Sequence, residues 1–262
     1  MKNGVLIAGP WVGEFGWELF CWQGYLRNLS KNYDKTVVIS RKGHRFLYRD
    51  FCDDYIGFDS PTANANMWLG KVNNQELNKI LKSVRHTQYL KPFDIGFSGA
   101  GGKTTVTKKQ FNEQKFVKYT SNSITSKYDI LIHARNKYVG AERNWRNDNW
   151  QKLVDSLKDD YRIATIGSHE SLSFDGVDDK RNLSIDKTVA LMNRTDLVVG
   201  PSSGPMHLAS LAGAKHLVWS APLNEMRYKE QWNPFKTEVI FYDKENWNPK
   251  VDTITGMIKD AV

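Results

Sequence analysis

Short apolar runs alternate along the chain with segments in which apolar residues recur at helical spacing. The apolar runs predict strands at residues 4–9, 36–40, 54–58, 129–133, 162–166, 197–199, 216–219 and 236–242, with a further strand around 94–97. The helical spacing predicts helices over 17–31, 75–85, 148–157, 185–193 and 251–261, and a basic helix over 41–51. Alternating strands and helices indicate parallel sheets covered on both faces. Two such series joined near residue 125 predict two doubly wound α/β domains, 1–124 and 125–262, facing across a cleft.

The stretch Asp196–Trp219 holds the most informative local pattern. A strand leads into a tight loop at Gly200–Gly204, and Pro205 and Gly213 mark the start and the stop of a helix. In doubly wound sheets, ligands bind where such loops follow the carboxyl ends of strands. We therefore expect this loop to line a binding site.

The same loop offers several groups that suit a diphosphate. Backbone N–H groups near Gly204 and the hydroxyls of Ser202 and Ser203 converge at the positive end of a helix dipole. His207, in the first helical turn, can donate to a phosphate or to a sugar hydroxyl. The alternative is an ordinary strand–loop–helix unit with a capping serine and a structural histidine.

Two other loops that follow predicted strands add candidate ligands. The loop after residue 133 carries Arg135, Lys137 and Arg143, which can clamp a pyrophosphate because guanidinium groups bind phosphate oxygens in pairs. A solvated basic loop is the alternative. The loop after residue 166 can let a base or a ribose approach the backbone, although this signal is weak by itself. Its candidate nucleoside-binding residues are Gly167, Ser168 and Glu170.

The loop between the first strand and the first helix presents a carboxylate among aromatic side chains. Glu14 is flanked by Trp11, Phe15 and Trp17. A carboxylate held partly out of water is a stronger base, so Glu14 is a candidate general base. The alternative is an acid that favours the N-terminal end of a helix dipole, a description that suits Glu18 better.

Basic residues are concentrated in the N-terminal half of the chain. Residues 1–124 hold 18 Lys and Arg against 10 Asp and Glu, whereas residues 125–262 hold 19 of each, so the net charge of +8 belongs to the first half. Lys103, Lys108 and Lys109 lie in a glycine-containing basic segment that we predict to be a mobile loop. The imbalance favours a polyanionic partner such as nucleic acid, a phosphorylated glycolipid or a membrane surface. A basic surface that only aids solubility is the alternative.

Composition and missing motifs argue against several classes of function. The 262 residues include 40% hydrophobic residues and two cysteines without metal-ligand spacing, which indicates a reducing compartment. Neither a membrane span nor a signal peptide is recognisable, so we expect a soluble cytoplasmic protein. His133 and His169 also lack metal-ligand spacing, and we expect no metal. The sequence lacks the Asp-x-Asp metal site of one large class of sugar transferases. It also lacks the P-loop, the Gly-x-Ser-x-Gly motif and the Gly-x-Gly-x-x-Gly motif, which argues against kinases, hydrolases and dehydrogenases.

Two segments resemble motifs of a known enzyme family. Residues 196–209 (DLVVGPSSGPMHLA) look like the nucleotide-sugar motif of the heptosyltransferase-like family of GT-B glycosyltransferases, family 9. Residues 143–157 (RNWRNDNWQKLVDSL) resemble its Arg-Trp…Trp…Leu…Leu stretch. Gly13-Glu14 falls where the family has Gly-Asp, whose acid is its proposed catalytic base. The first loop, GEFGWELFCWQGYLR, is also similar to phage-encoded sugar transferases that decorate hydroxymethylated DNA bases, including arabinosyltransferases.

The resemblance implies a GT-B fold of two Rossmann-like domains, the N-terminal one for the acceptor and the C-terminal one for a nucleotide sugar. The last helix is then a candidate to pack back on the N-terminal domain. The implied reaction is metal-independent inverting transfer, in which Glu14 takes the proton of the acceptor hydroxyl. The loop at Ser202–Gly204 and Arg135 would stabilise the departing nucleoside diphosphate. The implied co-substrate is a nucleoside-diphosphate sugar, UDP-linked in our interpretation, such as UDP-arabinose or UDP-glucose, with no other cofactor.

Double-stranded phage DNA with hydroxymethylated bases is the acceptor that we favour, because phosphate contacts would use the basic half. A phage-encoded protein would act in the host cytoplasm. The candidates to stack on an extruded base are Trp11, Phe15 and Trp17. The candidate contacts to acceptor phosphates are Lys103, Lys108 and Lys109. A transferase that builds lipopolysaccharide or another surface glycan satisfies the same charge argument, and a nucleotide- or nucleic-acid-binding module without catalysis is the third alternative.

Overall fold

The computed structural model describes residues 3–59, 72–95 and 113–262. The chain forms two compact units, Met1–Phe116 and Val117–Val262. The boundary lies after Phe116, whereas the sequence suggests a boundary after residue 124. Each unit contains a parallel sheet, as the alternation of strands and helices predicts.

The first unit is built on a four-stranded parallel sheet. Its strands are β1 (Val5–Trp11), β2 (Lys35–Arg41), β3 (Asp54–Phe58) and β4 (Gln88–Leu90). They lie in the order β3-β2-β1-β4. β1 is apolar throughout and buried at nearly every position, and the middle of β2 is buried and apolar at Val37–Ile39, which is the pattern of a sheet covered on both faces.

Helical turns follow β1 almost without interruption. They are α1 (Phe15–Trp17), a π-helical turn (Glu18–Trp22), α2 (Gln23–Leu29) and a 3-10 turn (Ser30–Asn32). A further helix, α3 (Asn74–Ser83), packs Leu77 into the core of this unit. It begins after Asn73, whose side chain accepts from two N–H groups of the first turn that have no acceptor within the helix.

The basic helix predicted over 41–51 is wrong. Strand β2 continues to Arg41, and only a 3-10 turn, Arg45–Leu47, follows it. Phe46–Tyr48 are all buried, and three consecutive residues cannot share one face of an α-helix.

The strand predicted around 94–97 lies earlier in the chain, at β4. Pro92 has no N–H to donate to a neighbouring strand, and a 3-10 turn, Pro92–Ile95, takes the place of the expected strand. Residues 96 and 97 lie outside the described residues.

Gly9 is required where β1 passes close to β2. Its φ is 124°, a value that L side chains rarely adopt, and a Cβ atom there would lie 2.1 Å from the carbonyl oxygen of Ile39. The register between the two strands also shifts between Ala8 and Trp11, so the main chains approach closely at this point. Glycine at this position therefore sets the path of the chain into the loop that carries Glu14.

We expect Gly9→Ala to lower the free energy of unfolding by roughly 2–4 kcal/mol, because the methyl group displaces main chain and the positive φ is strained. Equilibrium urea unfolding measures this loss. Gly43→Ala is the matched control: φ at Gly43 is 87°, but no described atom lies within 4 Å of its Cβ position. Only backbone strain of about 1 kcal/mol is expected there. Equal losses in the two variants would contradict the steric explanation.

The second unit contains a six-stranded parallel sheet. Its strands are β5 (Ile130–Ile132), β6 (Ile163–Thr165), β7 (Asp178–Asp179), β8 (Leu197–Pro201), β9 (His216–Trp219) and β10 (Val239–Tyr242). They lie in the order β10-β9-β8-β5-β6-β7. The edge strand β7 consists of two exposed aspartates and carries no apolar pattern, which is why the sequence does not predict it.

The predicted helices of the second unit are confirmed. They are α4 (Asn147–Asp155), α5 (Ile185–Met192), α6 (Gly204–Ala212) and α7 (Val251–Lys259). Short turns lie at Ala141–Arg143, Pro222–Asn224 and Arg227–Gln231, the last being π-helical. Among the residues that the structure describes, no helix is long and apolar enough to cross a membrane.

Three tryptophans form the centre of the second core. Trp145 lies 4.9 Å from Trp150 and 5.2 Å from Trp219, measured between ring centroids. Trp145 and Trp150 belong to the segment that resembles the family motif, and both are core residues. The closing helix α7 buries Ile254 and Ile258 in this same core. The last helix therefore belongs to the core of the second unit, and the expectation that it packs back on the first unit stays a prediction.

Candidate active site

Three strands of the second unit end side by side. β5 lies between β6 and β8, and His133, the first residue after β5, contacts both neighbours. Its main-chain N–H donates to the carbonyl of Val199 (2.8 Å), and its Nδ1 lies 3.3 Å from the carbonyl oxygen of Ile166. Burial lowers the pKa of His133 to about 4, with the charges of Lys137 and Arg135 adding to the effect. The loops after these strands therefore share one edge of the sheet.

Ser202–Gly204 form the turn between β8 and α6, called here the β8–α6 turn. Helix α6 begins at Gly204, with Ser203 as the N-cap residue, and ends at Gly213, whose φ is 70°. This confirms the predicted strand, loop and helix. Unlike an ordinary capping serine, Ser203 makes no side-chain hydrogen bond to the helix, and its hydroxyl has no hydrogen-bond partner in the described part of the chain. The N–H groups of the first turn have no acceptor within the helix.

A buried tyrosine supports the β8–α6 turn. The hydroxyl of Tyr228 donates to Ser202 Oγ (3.0 Å) and accepts from the main-chain N–H of Ser203 (3.2 Å). Burial raises the pKa of Tyr228, so its hydroxyl keeps its proton at neutral pH. Sequence reasoning missed this residue. It lies in the π-helical turn Arg227–Gln231, and its only local signal is an aromatic residue in a polar run.

His207 packs against this tyrosine. Its ring stacks on Tyr228 with 4.4 Å between ring centroids and meets the edge of Trp232 at 4.7 Å. Burial lowers the pKa of His207 well below its usual value, and the charges of Arg227 and His216 act in the same direction. The imidazole is therefore neutral at neutral pH and supports the turn. Direct donation from His207 to a ligand stays a prediction.

Arg135 is bonded to the loop that follows β5. Its guanidinium is buried and donates to the carbonyls of Gly140 (2.9 Å) and Val139 (2.7 Å) and to the side chain of Asn144. These donors hold the loop at residues 137–144 in shape. Arg135 therefore positions this loop, and direct binding of a diphosphate by Arg135 stays a prediction.

Two other cations lie near the β8–α6 turn. The guanidinium carbon of Arg227 lies 4.6 Å from the ring centroid of Trp232, which packs against His207, and the charges of Arg227 and Arg143 both act to lower the pKa of Tyr228. Arg143 is half-buried, as is Arg227, and Lys137 is exposed. Arg143 and Lys137 thus remain candidate diphosphate ligands, and Arg227 is a cation that sequence reasoning missed.

The loop after β6 is packed more tightly than expected. Gly167 has a φ of 128°, and a Cβ atom there would lie 2.3 Å from Ser171 Oγ and 2.9 Å from His133 Nδ1. A side chain at this position would collide with Ser171 and His133, so the turn requires glycine, and the approach of a base or a ribose to its backbone stays a prediction. Ser168 is exposed and Glu170 is half-buried. A nucleoside-binding role for these two residues stays a prediction.

The aromatic residues of the first loop have different surroundings. Trp11 belongs to β1, is fully buried and stacks on Trp22 with 5.8 Å between ring centroids. It is a core residue and has no free face for a base, because β1 extends farther than the sequence predicts. Phe15 and Trp17 are half-buried in α1, and Phe15 meets the edge of His44 at 5.3 Å.

Glu14 is the N-cap residue of α1, and its side chain is exposed. The partial desolvation that we expected from its aromatic neighbours is absent, because Trp11 lies in the core. Its carbonyl accepts from the N–H of Glu18 (3.2 Å), one helical turn away. Glu14 remains a candidate base by its place at the end of β1.

Glu18 is not a solvated acid at a helix start. It is fully buried, and its Oε1 accepts from Ser40 Oγ (2.5 Å) and from the hydroxyl of Tyr48 (2.6 Å), while Oε2 lies 2.6 Å from His44 Nδ1. Burial by itself raises the pKa of Glu18, but the charge and hydrogen bond of His44 and the two hydroxyl donors outweigh it and lower the pKa. Glu18 is therefore ionised at neutral pH.

Neither a family model nor a curated protein matches the chain. Solved structures do match. An E. coli ADP-heptose lipopolysaccharide heptosyltransferase II aligns with a TM-score of 0.64 at 13% identity, over 100% of this chain and 98% of that one. An E. coli heptosyltransferase solved with ADP gives 0.58 at 12% identity, over 98% and 97%. A family 9 glycosyl transferase from Veillonella parvula gives 0.54 at 14% identity, over 99% and 92%.

The chain has the GT-B fold. This likeness confirms the predicted α/β class and establishes the fold, while activity at such low identity has to be argued from the site. Within residues 3–59, 72–95 and 113–262, no group of three or more His, Cys, Asp or Glu residues is placed to hold a metal ion. The predicted acceptor contacts Lys103, Lys108 and Lys109 lie outside the described residues.

Proposed function

We propose that this protein is a glycosyltransferase that moves a sugar from a nucleoside diphosphate to a hydroxyl group of a polyanionic acceptor. The observation that carries the proposal is the β8–α6 turn. It combines the N-terminus of a nine-residue helix, the hydroxyl of Ser203 and a rigid support from Tyr228. Donors fixed in place before the reaction stabilise charge that develops on a leaving group without reorganisation.

The departing diphosphate would bind at this turn. The first-turn N–H groups of α6, the hydroxyls of Ser202 and Ser203, and the cations Arg143 and Lys137 would hold its oxygens. These groups supply the positive potential that a metal ion supplies in other transferases, so the proposed reaction is metal-independent. Arg135 would contribute indirectly, because it shapes the loop that carries Lys137.

The donor nucleoside would bind at the loop after β6, where Ser168 and Glu170 can accept or donate hydrogen bonds to ribose hydroxyls. We propose a UDP-linked pentose or hexose, such as UDP-arabinose or UDP-glucose. The E. coli structures described above, one solved with ADP and one named for ADP-heptose, make an adenine nucleotide the principal competitor.

The acceptor would be activated by the first unit. Glu14 takes the proton of the acceptor hydroxyl while the oxygen forms a bond to the anomeric carbon. The bond from that carbon to the diphosphate breaks, and its electron pair leaves with the nucleoside diphosphate. Attack from the face opposite the leaving group inverts the anomeric configuration.

The proposed acceptor is duplex DNA with hydroxymethylated bases, and the charge of the first half supports it. Lys42, Arg45 and Arg49 are exposed in the segment after β2, and Phe15 and Trp17 remain as candidates to stack on an extruded base. Surface-glycan synthesis is the second candidate, favoured by the lipopolysaccharide heptosyltransferase with the same fold. DNA binding that weakens steeply with salt supports the first. Transfer to a phosphorylated glycolipid with no affinity for DNA supports the second.

Ser203→Asp is expected to raise the Kd for the bound nucleoside diphosphate by about 10–100-fold, because a carboxylate at this N-cap repels the diphosphate. The Ser203 hydroxyl is buried, so urea unfolding of the variant has to show that the fold is kept before the Kd is compared. Calorimetric titration with UDP, ADP, GDP and CDP measures the change. Ser184→Asp, the same substitution at the N-cap of α5, is the matched control and should bind like the wild type. Unchanged binding by Ser203→Asp would remove the diphosphate from the β8–α6 turn.

A further inference from the structure

The first unit buries a complete hydrogen-bonding shell around one carboxylate. Glu18 accepts from Ser40 and Tyr48 and pairs with His44, and no part of the residue is exposed. A buried charge costs stability unless it is paired, and replacing such a cluster by apolar side chains often leaves a protein equally stable. Stability alone therefore gives no clear reason for Glu18.

Residues at the Glu18 cluster hold the main chain on both sides of Glu14: His44, which binds Glu18, and Arg41, which follows the Glu18 partner Ser40 in β2. Arg41 donates to the carbonyl of Gly13 (2.9 Å) and also to that of Val12. On the other side, the ring of His44 packs edge-on against Phe15. Glu14 itself is exposed, and as the N-cap residue its side chain makes no capping hydrogen bond to the first turn of α1. Its position is thus set by its neighbours in the chain.

The charge of Glu18 connects the two sides. Glu18 binds Ser40, the residue before Arg41 in β2, and its negative charge opposes the lowering of the pKa of Arg41 that burial causes. The same carboxylate holds His44 through Nδ1. Tyr48 and Tyr55 also face this charge, and the pKa of each is raised by burial and by Glu18.

We propose that Glu18 is a positioning residue, which aligns Glu14 by holding His44 directly and, through Ser40, the end of β2 that carries Arg41. This inference rests on the proposed function, in which Glu14 is the base. A well-aligned base is effective because proton transfer requires hydrogen-bond geometry, and a small displacement lowers the rate strongly. Glu18 does not touch the reacting atoms in this scheme.

Glu18→Gln keeps the shape and removes the charge. We expect kcat to fall about 10–100-fold, with the KM for the donor unchanged. Release of UDP from UDP-glucose or UDP-arabinose, with hydroxymethylated duplex DNA as acceptor, follows turnover. In a Glu14→Gln background the same change should cost little more, because a residue that acts through Glu14 has nothing left to position. If the decreases in kcat caused by Glu18→Gln and Glu14→Gln simply multiply in the double variant, Glu18 acts independently of Glu14. Its role would then be merely structural, and the proposal would be overturned.

Amide hydrogen exchange tests the positioning without any turnover. Glu18→Gln and His44→Ala should speed exchange at residues 13–16, whereas His44→Asn, which keeps a donor near the Nδ1 position, should restore much of the protection and of kcat. Arg27→Gln is the matched control, because Arg27 is a second buried charge of this unit and binds Asp50 and two main-chain carbonyls. It should lower stability without changing exchange at 13–16. Unchanged exchange in Glu18→Gln and in His44→Ala overturns the positioning role. If exchange does change as expected but the wild-type protein neither binds a nucleotide nor releases UDP, only the proposed function is refuted.

Discussion

Glu14→Gln is expected to lower kcat by about 10²–10⁴-fold, the usual contribution of a general base. The amide is nearly the same size as the carboxylate but cannot take the proton of the acceptor hydroxyl. Nucleotide binding should be unchanged, because the groups proposed for the diphosphate belong to the second unit. Steady-state UDP release gives kcat, and calorimetric titration with UDP gives the binding constant.

Glu14→Asp separates the chemistry from the geometry. It restores a carboxylate on a side chain that is one methylene shorter, so it should recover part of the lost kcat. Aspartate is also the acid in the Gly-Asp motif of the family that the sequence resembles. Normal turnover by Glu14→Gln would remove Glu14 from the role of base. Loss of nucleotide binding in the same variant would show that the substitution acts through folding.

The second unit is expected to lose most of its stability between pH 6.5 and pH 4. His133, His207 and His216 are all buried there, and burial lowers the pKa of each, to about 4 for His133 and His216. In the unfolded chain these groups take up protons near pH 6.5. Acid therefore favours the unfolded state until the folded histidines titrate as well.

The sign and the size follow from proton linkage. The stabilisation is fully present above pH 6.5 and falls by about 1.4 kcal/mol per histidine for each pH unit below it. For His133 and His216 the loss over this range sums to roughly 6 kcal/mol, and His207 adds to it in the same direction, so the total is comparable with the stability of a typical domain. Urea unfolding at a series of pH values, followed by tryptophan fluorescence, measures the slope.

His207→Phe tests the origin of this acid sensitivity. Phenylalanine can keep the ring contacts with Tyr228 and Trp232 while removing one titrating group, so the slope should fall by about a third. His169→Phe, a change at an exposed histidine, is the control and should leave the slope as it is. A wild-type slope in His207→Phe would mean that other groups cause the acid sensitivity.

Local signals in the sequence were sufficient for the helices and for every strand of the second unit except the edge strand β7. The apolar run before Gly200 and the Ser203, Pro205 and Gly213 signals place a strand, a turn and a helix within a few residues of where they lie. Each signal acts through its own backbone or its nearest neighbours, so it does not depend on the rest of the fold. The same reasoning failed over 41–51, where buried aromatic residues and not helical spacing determine the path.

The tertiary structure alone decided which side chains face water and which are already bound. Glu14 and Glu18 lie one helical turn apart and look equally polar in the sequence, yet one is exposed and the other is enclosed by Ser40, His44 and Tyr48. Tyr228 reaches the β8–α6 turn from a later segment. The alternation of strands and helices determined the fold class, because periodicity is a local property. Burial and hydrogen-bond partners were decided by contacts between residues distant in sequence, and no local pattern records them.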